Sequence, residues 1–294
     1  VMWSNLLITL VNIILDYGLI FGHWGMPRMG VAGAAWATFI SLLLGTLTQL
    51  WVFFAPSYGR CYNTLSGWHF DLMLFRRLLR FGLPVGFQFQ IQVLAWTLFV
   101  LLIGRIGVAA LTAHSIAMNV FMIMVMPVAG MSIAVSILVG QRLGADDPES
   151  AEQVTYSAIH LSLVFFVVAG LLLVTQPNWF IAPFVQGMTP VIYASTIPLV
   201  DDLLTVVAMF CVFEAVSMMM AGALKGAGDT HFVAWAGILS SWLVLVLPTA
   251  LLAYFWDGSL LWSWLFFLLS GFTMCLVHWL RFRTQKWKLL RIAE

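Results

Sequence analysis

The residues that could do chemistry in this chain are few, and each stands inside a run of hydrocarbon. Asp16, in "VNIILDYGLIFG", follows Asn12 by four residues, so both project from one face of a helix. A carboxylate beside an amide oxygen can hold a proton or a small cation. An aspartate near the outer end of its run can equally be satisfied by a cap or by water. Glu214, in "MFCVFEAVSMMMAGALKG", lies near the centre of another run. An unpaired ionised carboxylate is costly in that position, so Glu214 should be protonated, paired or in contact with water. Phe210, one turn earlier on the same face, offers its ring to a bound cation, with ordinary packing as the simpler reading.

In "GLPVGFQFQIQVLAW", Gln88 and Gln92 share one face with Trp96 a turn further on, while Gln90 points elsewhere. Three glutamines in one apolar run are too many to leave in lipid. Gln88 and Gln92 should therefore face a bundle interior or an aqueous cavity, either as glue between helices or as a binding wall. Asn119 and Thr38 carry the same two readings. Pro84, Pro127 and Pro248 fall in or at the ends of apolar runs, where they kink helices and free carbonyls. The six histidines and three cysteines show no ligand spacing, so no metal site or disulfide framework is readable. The expected inventory holds no catalytic residue and no cofactor, and no metal other than Na⁺ at Asp16 or Glu214.

These polar residues need elements to position them, and the composition names the solvent. Of 294 residues 62% are apolar and 9% charged, with a mean hydropathy of +1.00. Soluble domains carry about 25% charged residues, so this chain belongs with proteins whose surface faces lipid. A net charge of +1 leaves no basic face for nucleic acid, and no catalytic or dinucleotide motif interrupts the apolar runs. The fold class is therefore all-α integral membrane.

Eight runs are long enough to cross the hydrocarbon, at roughly 2–21, 31–54, 82–103, 110–139, 154–175, 199–224, 232–256 and 259–282. Turn-forming stretches such as "GHWGMPRMG", "GRIG", "TQPNWFIAPF", "LKGAGDT" and "FWDGS" separate them. With the first run starting inside, eleven lysines and arginines fall in the inner connections, and only Arg28 and Arg105 in the outer ones. The positive-inside rule then places both termini in the cytoplasm of a multi-pass cell-membrane protein. The connection "SYGRCYNTLSGWHFDLMLFRRLLR" spaces Phe70, Leu74, Leu78 and Phe81 helically among three arginines, as a basic amphipathic helix on the inner membrane surface would. It divides the chain into 1–56 with two spans, a linker at 57–80, and 81–294 with six. The chain opens on Val1 without a cleavable signal, and reads as cut from a longer sequence.

The stretches "RFGLPVGFQ", "LIGRIGVAALTAHSIAMNVFMIMVMPVAGMSIAVSILVGQRLGADDPESA" and "AGALKGAGDT" resemble the second six-helix lobe of the multidrug and toxic compound extrusion (MATE) family. Likewise "NIILDYGLIFGHWGMPRMGVAGAAWAT" resembles that family's fifth and sixth helices. The resemblance implies a fragment from the fifth helix onward, with two helices of the first lobe and a complete second lobe. It implies a protein that exports organic, cationic compounds in exchange for H⁺ or Na⁺, lies in the bilayer, and is a monomer when complete. Asn12, Asp16 and Thr38 then fall at a first-lobe cation site. In the second lobe, where some members carry two carboxylates, this sequence has Gln92 and Glu214. A flippase for lipid-linked precursors is the alternative within the same superfamily; the near absence of Lys and Arg from the spans speaks against it.

Overall fold

The computed structural model describes residues 2–55, 70–185, 188–255 and 258–289. Its elements are α1 (Met2–Phe21), α2 (Val31–Phe53), α3 (Leu72–Ile106), α4 (Val108–Gly144), α5 (Pro148–Thr175), α6 (Pro177–Val185) and α7 (Pro190–Gly226). After these come α8 (Thr230–Leu239), a π-helical stretch (Ser240–Val246), α9 (Leu247–Phe255), α10 (Leu260–Arg283) and a 3₁₀ turn (Lys286–Leu289). Among the described residues eight helical segments are long and apolar enough to cross a membrane, with α8, the π stretch and α9 acting as one. No strand occurs among them. The integral-membrane, all-α reading therefore holds.

The chain forms two units, Val1–Leu79 and Arg80–Glu294. In the first, α1 and α2 pack closely because α2 presents Gly33, Ala37, Ser41 and Gly45 at four-residue spacing, all buried. A Cβ on Gly33 would stand 2.5 Å from the carbonyl oxygen of Leu19, so only a bare backbone fits there. In the second unit α7 is the central helix, packed by α4, α5 and α10. Small residues again allow the approach: a Cβ on Gly222 would lie 2.6 Å from Ser132 O, and the Ser132 hydroxyl donates to Met218 O at 2.7 Å.

Local chemistry accounts for the ends. Gly107 adopts φ 144°, a glycine conformation, and turns α3 into α4 with a single residue. Asp147 caps α5 by accepting from the Ser150 N–H at 3.1 Å, with Pro148 in the first turn. The π stretch has a cause in Pro248. Proline cannot donate to the carbonyl of Val244, so the preceding turns widen, and the Leu247 N–H reaches back five residues to Trp242 O.

Two expectations from the sequence need correction. Leu72–Arg80 do not lie apart as a surface helix; they are the first turns of α3, continuous with the third span. The helix runs on through Gly82, Pro84 and Gly86, residues that would ordinarily interrupt it, so the expected boundary near residue 81 is not an end. Residues 57–69 of the expected linker, Cys61 among them, are outside the described residues. The break expected in "TQPNWFIAPF" contains the short helix α6, started by Pro177 at a position where its missing N–H costs nothing.

Candidate functional site

Helix α3 makes little close backbone contact with its neighbours and reaches the bundle through side chains. The Trp96 ring lies 6.1 Å from His114 and 6.0 Å from Phe267, and Trp242 Nε1 donates to Ile91 O at 3.3 Å. The space left between α3, α7, the π stretch and α10 is a cavity of about 370 Å³. Gln92 and Trp96 line it from α3, Phe210 and Glu214 from α7. The cavity thus collects four residues singled out in the sequence, drawn from positions more than one hundred residues apart.

Each wall has a structural reason. Phe210 is buried, stacked on Phe267 at 4.0 Å between ring centroids and edge-on to Phe121 at 5.3 Å. Its ring lies flat against Gly271, where any Cβ would come within 2.5 Å of it. The Gln92 amide faces Gly237, whose would-be Cβ stands 3.7 Å from Gln92 Nε2. Glu214 is half-buried and enters none of the ion pairs between described residues. A carboxylate on an otherwise largely aromatic and hydroxylated wall, with no cationic partner, attracts a cation or a proton.

Reading the sequence missed the hydroxyls of this cavity. Ser217, Ser240, Ser241 and Ser270 line it, the Ser240 hydroxyl donating to Ser270 O at 3.2 Å. Behind Ser217 stands His278 of α10, buried, with Nδ1 3.1 Å from Ser217 Oγ. A signal for Ser217 existed: residues 210, 214 and 217 repeat at helical spacing on one face.

The other expected residues lie elsewhere. Gln88 lines a neighbouring groove of about 570 Å³, which shares Gln92 and Phe89 with the cavity. Asn119 is exposed on α4 and bonds its own helix, donating to Ser115 O at 2.7 Å; it lines neither space. In the first unit, Asn12 and Asp16 are half-buried on α1, and Asn12 Nδ2 and Asp16 Oδ1 are shielded from solvent without a hydrogen-bond partner. Thr38 turns its hydroxyl to Ala34 O at 2.9 Å.

Two ion pairs tie the C-terminal end of α10 and the turn after it to other elements of the second unit. Arg281 Nε donates to Asp229 Oδ2 at 2.7 Å and its guanidinium lies over Phe232 at 4.9 Å. Lys288, beyond the end of α10, pairs with Glu152 of α5. Trp287 folds back under it, buried, stacked on Phe282 at 4.8 Å and donating to Phe282 O at 3.0 Å.

A family model described as MatE matches residues 84–252. The multidrug resistance protein NorM of Burkholderia vietnamiensis is 30% identical over 232 residues, 79% of this chain and 50% of that protein. A probable multidrug resistance protein NorM of Thermotoga maritima is 28% identical over 281 residues, 95% of this chain and 58% of that one. The chain spans about half the length of the curated relatives it matches. Among solved structures, an outward-facing multidrug resistance MATE family transporter of the MOP superfamily superposes with a TM-score of 0.79 at 19% identity, over 99% of this chain and 62% of that one. The inward-facing conformation of such a transporter gives 0.74 at 20% identity, over 98% and 64%. These similarities in fold agree with the match to the family model, which covers more than half of the sequence: the chain belongs to the MatE family.

Proposed function

We propose that this chain serves a secondary active antiporter that exports organic, cationic compounds in exchange for H⁺ or Na⁺. The observation that carries the reading is Glu214: a half-buried carboxylate without an ionic partner, on the wall of a cavity that also presents Phe210, Trp96 and Gln92. Aromatic faces and one carboxylate suit a flat organic cation, and the same carboxylate can instead be neutralised by a proton or Na⁺. Asp16, with Asn12 on the same helical face, is the second place where a coupling ion would sit, since both side chains hold an unsatisfied polar atom away from solvent.

Exchange requires that the ion and the organic compound compete, or that they favour different conformations. Relatives in the same fold are described as outward-facing and as inward-facing, which supports a mechanism of alternating access. The end that carries Arg142, Lys225, Arg281 and Lys288 would face the cytoplasm by the positive-inside rule.

The test is efflux of a cationic dye from proteoliposomes carrying the natural protein, under an imposed proton or Na⁺ gradient. Efflux that needs one of these gradients, and dissipates it, is the expected result. Dye movement indifferent to both gradients would sink the antiport reading.

A further inference from the structure

The groove beside the cavity differs from it in charge. Its length is built mainly from Phe87 and Phe89 of α3 and Trp235 of α8, with the side chains of Gln88 and Gln92 also on its α3 wall, and its end holds Lys225, Thr230 and His231. Lys225 sits in the last turn of α7, and Thr230 opens α8, so the polar end coincides with the junction of two spans. Phe87 lies at the start of the third span, one residue past Gly86. The polar end is therefore at the depth where lipid headgroups lie, and the apolar length runs toward the hydrocarbon.

Lys225 is exposed and enters none of the ion pairs between described residues. The nearest acid on the chain, Asp229, is committed elsewhere, to Arg281 at 2.7 Å. That commitment has a second effect: although Asp229 is the N-cap residue of α8, its side chain makes no capping bond. The first N–H groups of α8 are consequently left without the aspartate they would ordinarily bind. The polar end of the groove thus offers one unpaired ammonium, an imidazole, a hydroxyl and free backbone donors, and lacks an unengaged carboxylate.

We propose that this groove is a binding site for an anionic phospholipid, its phosphate at Lys225 and its acyl chain along Phe87, Phe89 and Trp235. Charge complementarity selects the headgroup, because a basic pocket between spans at the membrane interface favours anionic over zwitterionic lipid. The apolar walls select a lipid over a free phosphate, which would leave three aromatic rings uncovered. The site is distinct from the Glu214 cavity in sign, and the inference stands whether or not the protein is an antiporter.

The experiment titrates the purified natural protein, in neutral detergent, with dioctanoyl phosphatidylglycerol, dioctanoyl phosphatidylcholine and glycerol 3-phosphate by calorimetry. Phosphatidylglycerol should bind more tightly than phosphatidylcholine, and glycerol 3-phosphate should give no signal in the same range. Lys225→Gln should weaken phosphatidylglycerol about five-fold, the effect of one basic residue near a lipid phosphate, and Lys225→Arg should retain it. Trp235→Ala, at an exposed position, should weaken both lipids alike. Lys286→Gln, outside the groove, should change nothing. The proposal is overturned if Lys225→Gln binds phosphatidylglycerol as the parent does, if Lys286→Gln weakens it equally, or if glycerol 3-phosphate binds as well as the lipid, which would make this a free phosphate site.

Discussion

Ser217 Oγ of α7 lies 3.1 Å from His278 Nδ1 of α10, and this contact ties the wall of the cavity to a buried imidazole behind it. Ser217 follows Glu214 by three residues on the same face, while His278 Nε2 is shielded from solvent and has no hydrogen-bond partner. The hydroxyl either donates to Nδ1 or accepts from it, and which it does depends on the tautomer of the ring. Ser217→Ala should lower stability by about 1–3 kcal/mol, because it leaves both ring nitrogens of His278 unpaired in the core. Ser217→Ala with His278→Phe removes both partners and should recover part of that loss. Thermal unfolding of the two single variants and the double variant measures the coupling, and simple additivity would show that the contact contributes nothing.

Glu214 and Asp16 should separate binding from coupling. Glu214→Gln removes the cavity's charge, so a cationic dye should bind about ten-fold more weakly while a neutral dye is little affected, as expected for loss of a charge-assisted contact. Asp16→Asn keeps size and hydrogen bonding, so both dyes should still bind while gradient-driven export fails. Equilibrium dialysis and proteoliposome efflux read the two effects independently. Normal export of both dyes by Asp16→Asn, with export abolished in Glu214→Gln, would assign coupling to Glu214 and make Asp16 a packing residue.

Two glycine substitutions predict opposite outcomes. A Cβ on Gly226 would collide with the backbone of Ser136 at the contact of α7 with α4, so Gly226→Ala should cost about 1–3 kcal/mol as the helices move apart. Gly130, within α4, has nothing within 4 Å of its would-be Cβ. Gly130→Ala should be neutral, or stabilising by about 0.5–1 kcal/mol through helix propensity. Melting temperatures in one detergent decide between them.

Asp147, at the head of α5, is held below the ordinary aspartate range, chiefly by its hydrogen bonds with Ser150 and, less, by the charge of Arg142. A carboxyl whose folded pKa is depressed adds stability above its unfolded value and loses it as pH falls through the folded one. Asp147→Ala should therefore lower the melting temperature at pH 7, and the difference from the parent should vanish in acid below the ordinary aspartate range. A difference that persists unchanged into that range would show that the carboxylate charge is not what stabilises the cap.

The spans were legible because burial in lipid demands about twenty apolar residues and turn chemistry marks their ends; "GRIG" and "LKGAGDT" ended helices where glycine suggested they would. The polar residues inside them were legible as costly, which singled out Asp16, Gln92 and Glu214 before any fold was known. Their neighbours were not. A helix that is apolar nearly all round, as α4 and α7 are, carries no stripe to say which face meets which partner. Packing of small residues such as Gly222 and Gly226 against α4 fixed the rotation of α7, and that rotation brought Glu214 and Phe210 to the cavity. The same packing left Asn119 on an exposed face, although by type it was as good a candidate as Gln92. Nor could one helix's sequence reveal that Pro248 would widen the turns before it and place Ser240 against Ser270. The sequence determined a chain of lipid-crossing helices and the few positions where charge would matter. Only the tertiary structure decided which of them share a cavity, because that depends on close contacts between helices distant in sequence.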